Sequence, residues 1–288
     1  MRQRVNALSR SLPGARKGDA DQLHQARVAT RRLREVLPVV ASGSRGRKLE
    51  RMVRRLTRTL GPVRELDVAL LTLDELAAAG DTPAAALTTL RQVIRSERRR
   101  LRAEMRRRLA RLDLPKLQHR ATAAARKQRA SRKGRVRDPR RLAAAEERAA
   151  RRAGRVRAAI ENAAGLYLPD RLHEVRVAVK KLRYALELAQ ELSGSRATAR
   201  VRTLKEAQDR LGRMRDLEVL IARIRGVQGS SSAPNLRLSG DLDRLVRRLE
   251  TECRQVHGHY MASRRKLLAI CDHVADAPSQ DRGAVSAA

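Results

Sequence analysis

Two runs of the chain carry the same arrangement of cations behind a histidine. His24-Gln25-Ala26-Arg27-Val28-Ala29-Thr30-Arg31-Arg32-Leu33-Arg34-Glu35-Val36-Leu37 returns as His173-Glu174-Val175-Arg176-Val177-Ala178-Val179-Lys180-Lys181-Leu182-Arg183-Tyr184-Ala185-Leu186, with seven of 14 positions identical and two more exchanging Arg for Lys. On a helix advancing about 100° per residue, His24, Arg27, Arg31 and Arg34 share one face, as do His173, Arg176, Lys180 and Arg183. The chemistry this suits is anion binding. A guanidinium meets phosphate or carboxylate oxygens two at a time, and a histidine near a helix start stands where backbone donors also favour negative charge. A solvated face would mix signs. These stripes hold only cations and border an apolar seam, Leu23, Ala26, Ala29, Leu33, Val36 and Leu37 in the first run.

A second pair of motifs follows the first. Leu60-Gly61-Pro62-Val63-Arg64-Glu65-Leu66-Asp67-Val68 recurs as Leu211-Gly212-Arg213-Met214-Arg215-Asp216-Leu217-Glu218-Val219. The His runs are 149 residues apart and the Leu-Gly runs 151, so order and spacing are kept, the mark of an internal duplication. Arg64 and Arg215 have two readings, anion ligands or members of salt bridges with the neighbouring carboxylates. Upstream, Arg47, Arg51, Arg54 and Arg58 fall on one helical face. Arg202 and Lys205 match Arg51 and Arg54, and Asp209 replaces Arg58. The candidate anion ligands are therefore His24, Arg27, Arg31, Arg34, Arg51, Arg54, Arg58, Arg64, His173, Arg176, Lys180, Arg183, Arg202, Lys205 and Arg215. The basic faces Arg95/Arg98/Arg102/Arg106 and Arg247/Arg254/His257/Arg264 rank second. No catalytic constellation or phosphate-gripping Gly-rich loop is found. The remaining histidines have no metal-ligand spacing, and no cofactor is implied.

The elements that must position these residues are helices. The periodicity predicts eight, at about 1–12, 20–41, 45–79, 83–112, 139–165, 171–193, 196–227 and 237–273. Pro13-Gly14 is expected to end the first, and Gly61-Pro62 to kink or break the third. The first helix is short beside its counterpart, which would leave one wall of the first half incomplete. The expected organisation is a first helical half over 1–112, a basic linker over 113–138, a second helical half over 139–275 and a disordered tail over 276–288, with Gly229-Ser230-Ser231-Ser232 as a loop.

Composition narrows the partner. Net charge is +35, and 57 of the 66 basic residues are Arg. A GC-rich genome inflates Arg and Ala together, but it does not explain the excess over acids. Such a field attracts polyanions. The chain has no Trp, no Phe and three Tyr, so it lacks the stacking platforms of single-strand and RNA-binding modules. Cys253 and Cys271 lie on one expected helix about 27 Å apart, too far to bridge. No apolar run suits a membrane span or a signal core, and a cytoplasmic location is expected.

The two motif pairs resemble those of the CHAD family, the conserved histidine α-helical domain. The resemblance covers roughly residues 1–272 and rests on four motif hits in order. It implies an all-α fold of two four-helix bundle halves related by a pseudo-two-fold axis, with binding to inorganic polyphosphate and association with polyphosphate granules. The expected function is a non-enzymatic module that holds polyphosphate in a basic groove between two halves. The alternative is a nonspecific nucleic-acid-binding protein. Members of this family are often accompanied by a triphosphate-tunnel enzyme domain. Its alternating Glu-x-Glu-x-Lys strand is missing from the sequence.

Overall fold

The computed structural model describes residues 1–41, 43–80, 82–130, 139–195, 199–230 and 235–284. Among these residues there are nine α-helices and no strand. They are α1 (Arg2–Lys17), α2 (Ala20–Val40), α3 (Gly43–Ala78), α4 (Ala84–Ala110), α5 (Leu114–Ala130), α6 (Pro139–Asn162), α7 (Pro169–Ser193), α8 (Ala199–Ser230) and α9 (Leu236–Ala284).

The chain divides into two compact units. One comprises Met1–Val136 with Ala222–Val246, the other Arg137–Ile221 with Arg247–Ala288. Each unit therefore takes a stretch of α8 and a stretch of α9, whereas the sequence reading divides the chain into consecutive halves.

In the first unit α1 packs on α2, α2 on α3 and α3 on α4. Apolar residues at helical spacing drive this. Leu8 and Leu12 of α1, Leu23 and Leu33 of α2, and Leu56 and Leu60 of α3 are all buried. Removing each such leucine from water contributes about 1.5–3 kcal/mol. α1 continues through Pro13, where an end was expected, and stops at Gly18, whose φ of 87° reverses the chain. Asp19 then caps α2, its Oδ1 accepting from the Gln22 backbone N–H at 2.7 Å. α3 likewise runs unbroken through Pro62. Both prolines lie on exposed faces, so the carbonyl each leaves without a helical donor can turn to water.

Most of the expected linker is helix α5, packed on α1 and α3. Its buried Leu114, Leu117, Ala121 and Ala125 make one apolar stripe, masked in the sequence by the surrounding cations. Asp113 Oδ1 accepts from the Lys116 backbone N–H at 2.8 Å and caps the helix. Residues 131–138 lie outside the described residues. α1 has 16 residues and α6 has 24, but with α5 beside it α1 is not a bare wall.

The second unit is built on α6 and α7 with stretches of α8 and α9. Ala149 and Ala153 bring α6 close to Val175 and Val179 of α7, and Leu204 and Tyr260 close the same core. Gly229 and Ser230, expected in a loop, finish α8; Ser231 and Ser232 lie outside the described residues. The tail expected to be disordered from residue 276 continues α9 as far as Ala284; 285–288 lie outside. Among the described residues no helix is long and apolar enough to cross a membrane.

Candidate anion site

The His motif sits in the early turns of α2, and Leu-Gly-x-x-Arg lies midway along its neighbour α3. α2 brings His24, Arg27 and Arg31 toward Arg64 of α3. The histidine registers all three. Partial burial, then the charges of Arg64 and Arg31, hold His24 below its ordinary pKa, with Arg27 adding and Asp21 opposing. The second unit repeats this set. Burial, then Arg215, Arg176 and Lys180, hold His173 down, with Asp170 opposing. His173 Nδ1 is buried with no hydrogen-bond partner. Each histidine thus stands beside three cations that disfavour its protonated form.

The glycine of the second motif makes room for the arginine of the first. A β-carbon on Gly61 would stand 3.0 Å from Arg27 Nη1. Arg27 passes over this bare backbone and donates from Nη1 to the Thr57 carbonyl at 3.1 Å. In the second unit a β-carbon on Gly212 would stand 3.5 Å from Arg176 Nε and 3.6 Å from its Nη2. Arg27, Gly61, Pro62 and Leu101, with Glu65, Glu97 and Arg223, line an open depression of about 400 Å³ in the first unit. Arg223 is held there by Glu97 and, at 3.6 Å, by Glu65.

The other candidates fall into three groups. Arg34 of α2 is half-buried, and Arg51, Arg54 and Arg58 of α3 and Arg202 and Lys205 of α8 are exposed. Arg54 donates to Glu50 at 2.8 Å within its own helix, a surface pair that costs little to break. Arg183 turns inward. It is buried, bonds Glu187 and Gln208 (3.2 Å to the latter), and stacks over the Tyr184 ring at 4.5 Å from its centroid. Its donors serve the core of the second unit.

The carboxylates of the second motif are internal partners. Asp67 is buried and accepts from Arg98 Nε of α4 at 2.6 Å. Glu218 accepts from the Tyr167 hydroxyl at 3.1 Å and pairs with Arg215 at 3.7 Å. Arg215 therefore has a carboxylate partner from its own motif, whereas Arg64 makes no ion pair among the described residues. Two cations of the secondary stripe on α4, Arg98 and Arg106, are also committed. Arg98 Nη2 donates to the Gly18 carbonyl at 3.2 Å, and Arg106 donates to the carbonyls of Arg16 and Lys17, each at 3.3 Å. These cations cap the C-terminus of α1, where a helix favours positive charge. Among the described residues no three His, Cys, Asp or Glu side chains gather as metal ligands.

The CHAD domain family model matches residues 1–225. The chain belongs to the CHAD family. The match stops short of the roughly 1–272 read from the motifs, and includes both His runs and both Leu-Gly runs. A solved structure, the CHAD domain from the plant Ricinus communis, is similar with a TM-score of 0.55 at 20% identity, covering 94% of this chain and 86% of that one. At that identity the likeness concerns the fold. No curated protein matches.

For a CHAD domain the contributions that sequence reasoning missed are mostly supporting ones. The mid-helix glycine, repeated in both runs, was the available sign of a close approach. Nothing in the sequence links Arg98 to Asp67 or Tyr167 to Glu218, pairs that helix packing brings together across long separations.

Proposed function

We propose that this CHAD protein is a non-enzymatic module that binds inorganic polyphosphate and associates with polyphosphate granules. One observation carries the reading: the two repeated motifs converge in each unit on one histidine and three cations, His24/Arg27/Arg31/Arg64 and His173/Arg176/Lys180/Arg215. A polyphosphate chain offers one negative charge per unit and no bases, so it asks for cations without stacking rings. Each charge-assisted contact contributes about 1.5–3 kcal/mol, and counterion release adds an entropic gain. Arg34, Arg51, Arg54, Arg58, Arg202 and Lys205 are accessible to extend the contact along the polymer. Arg183, buried and internally bonded, is left out of the ligand set.

Titration calorimetry with long-chain polyphosphate at several salt concentrations tests the proposal. Binding at physiological salt that weakens as salt rises supports it. Heat only at low salt, matched by any polyanion, removes it. The rival, nonspecific nucleic-acid binding, draws on the net charge of +35 and is separated by competition.

A further inference from the structure

The two clusters share their residue types but differ in what surrounds the arginine of the second motif. In the first unit Arg64 is flanked by Glu65 and Asp67, and both are drawn elsewhere. Glu65 lies 3.6 Å from Arg223, and Asp67 is held by Arg98 at 2.6 Å. In the second unit Glu218, at the place of Asp67 in the motif, pairs with Arg215 itself at 3.7 Å, and its other partner is the uncharged hydroxyl of Tyr167.

The origin of the difference lies six residues before each histidine, at Gly18 and Tyr167. Without a side chain, Gly18 lets the α4 arginines in. Arg98 donates to its carbonyl, and a β-carbon there would stand 2.0 Å from Arg102 Nε. A cation from outside the cluster thereby neutralises Asp67. At Tyr167 the phenol stands beside Glu218, its ring edge-on to His257 at 5.4 Å between centroids. Burial raises the pKa of the phenol, so it remains a hydrogen donor that brings no charge. Glu218 must draw on Arg215.

We infer that the two clusters are unequal ligand sites, with the first the stronger, and that Glu218, steadied by Tyr167, competes with the bound phosphate for Arg215. This rests on the polyphosphate reading above. Arg64 meets a phosphate with its charge uncompensated; at Arg215 the ligand must first displace a carboxylate. Glu218 and Tyr167 are positioning residues that act through Arg215.

The probe is tripolyphosphate, titrated calorimetrically into the full-length chain at physiological salt, with melting temperatures recorded for every variant. Arg64→Ala is expected to weaken binding at least about tenfold, the loss of one charge-assisted contact, and Arg215→Ala by less than about threefold. In the Arg64→Ala background, Glu218→Gln should recover affinity several-fold. Tyr167→Phe should lower it further, because Glu218 then leans wholly on Arg215. The opposite signs matter, since general destabilisation would move both variants downward. Equal losses from Arg64→Ala and Arg215→Ala, or Glu218→Gln and Tyr167→Phe shifting affinity in the same direction, overturn the inequality. If neither tripolyphosphate nor long-chain polyphosphate binds the unaltered protein, the polyphosphate reading fails and the inference falls with it. Binding of both, with equal clusters, removes the inference alone.

Discussion

Arg27 of α2 crosses Gly61 of α3 so closely that a β-carbon on the glycine would stand 3.0 Å from its Nη1. The same guanidinium bonds the Thr57 carbonyl at 3.1 Å. Helix interiors disfavour glycine by about 1 kcal/mol relative to alanine, so the repeated Leu-Gly pair gives up stability for this approach. Gly61→Ala should shift Arg27, hold the melting temperature within a few degrees and weaken polyphosphate binding several-fold. Gly212→Ala meets Arg176 no closer than 3.5 Å, so it should keep binding and melt slightly higher. Calorimetry and thermal melts on the two variants check the pair; equal binding losses would show that the closer approach at Gly61 is irrelevant.

Reversing the motif arginines asks whether position matters beyond total charge. Arg27→Glu with Arg176→Glu should reduce polyphosphate affinity at least about a hundredfold, through two lost charge-assisted contacts. Arg99→Glu with Arg100→Glu makes the same change in net charge on two exposed residues of α4 and should cost less than about threefold. A control pair as defective as the motif pair would leave only nonspecific attraction.

Binding should take up protons. His24 and His173 are held below the usual histidine pKa by burial and neighbouring cations. A bound polyanion opposes those cations and raises both values, so affinity should increase as pH falls from 7 toward 5.5. Stability of the free protein has the opposite trend. With folded values below the unfolded 6.5, the unfolded chain binds more protons, and stability is lost as pH drops through that window. Calorimetry in two buffers of different ionisation enthalpy measures the uptake, using long chains so that titrating end groups are few. His24→Ala with His173→Ala should abolish it.

Arg98 should matter more for folding than for binding. It is the ion-pair partner of buried Asp67 and a donor to the last turn of α1. Arg98→Ala leaves that carboxylate buried and unpaired, a loss of about 3 kcal/mol. Denaturant unfolding measures it, and a variant as stable as the parent would show that Asp67 finds another partner.

How far the sequence led differs between fold and site. The spacing of Leu23, Ala26, Leu33 and Leu37 revealed a long helix, because burial needs only a repeating apolar stripe. Pro13 and α5 misled for one reason. Exposure decides whether a proline or a basic stretch is compatible with a helix, and exposure is a property of packing. At the site, the repeats marked His24, Arg27, Arg31 and Arg64 and their counterparts. They could not separate Arg176, beside Gly212, from Arg183, folded onto Tyr184 and Glu187. Both are arginines on one helical face, and only the neighbours supplied by α8 and by α7 itself tell them apart.

The most direct test of the central claim is competition. Labelled long-chain polyphosphate bound to the protein at physiological salt is challenged with unlabelled polyphosphate, double-stranded DNA and RNA at matched phosphate concentration. The account predicts displacement by polyphosphate at concentrations at least about tenfold below those needed for either nucleic acid, a gap of about 1.4 kcal/mol. Equal displacement by all three would contradict it and leave a general polyanion binder.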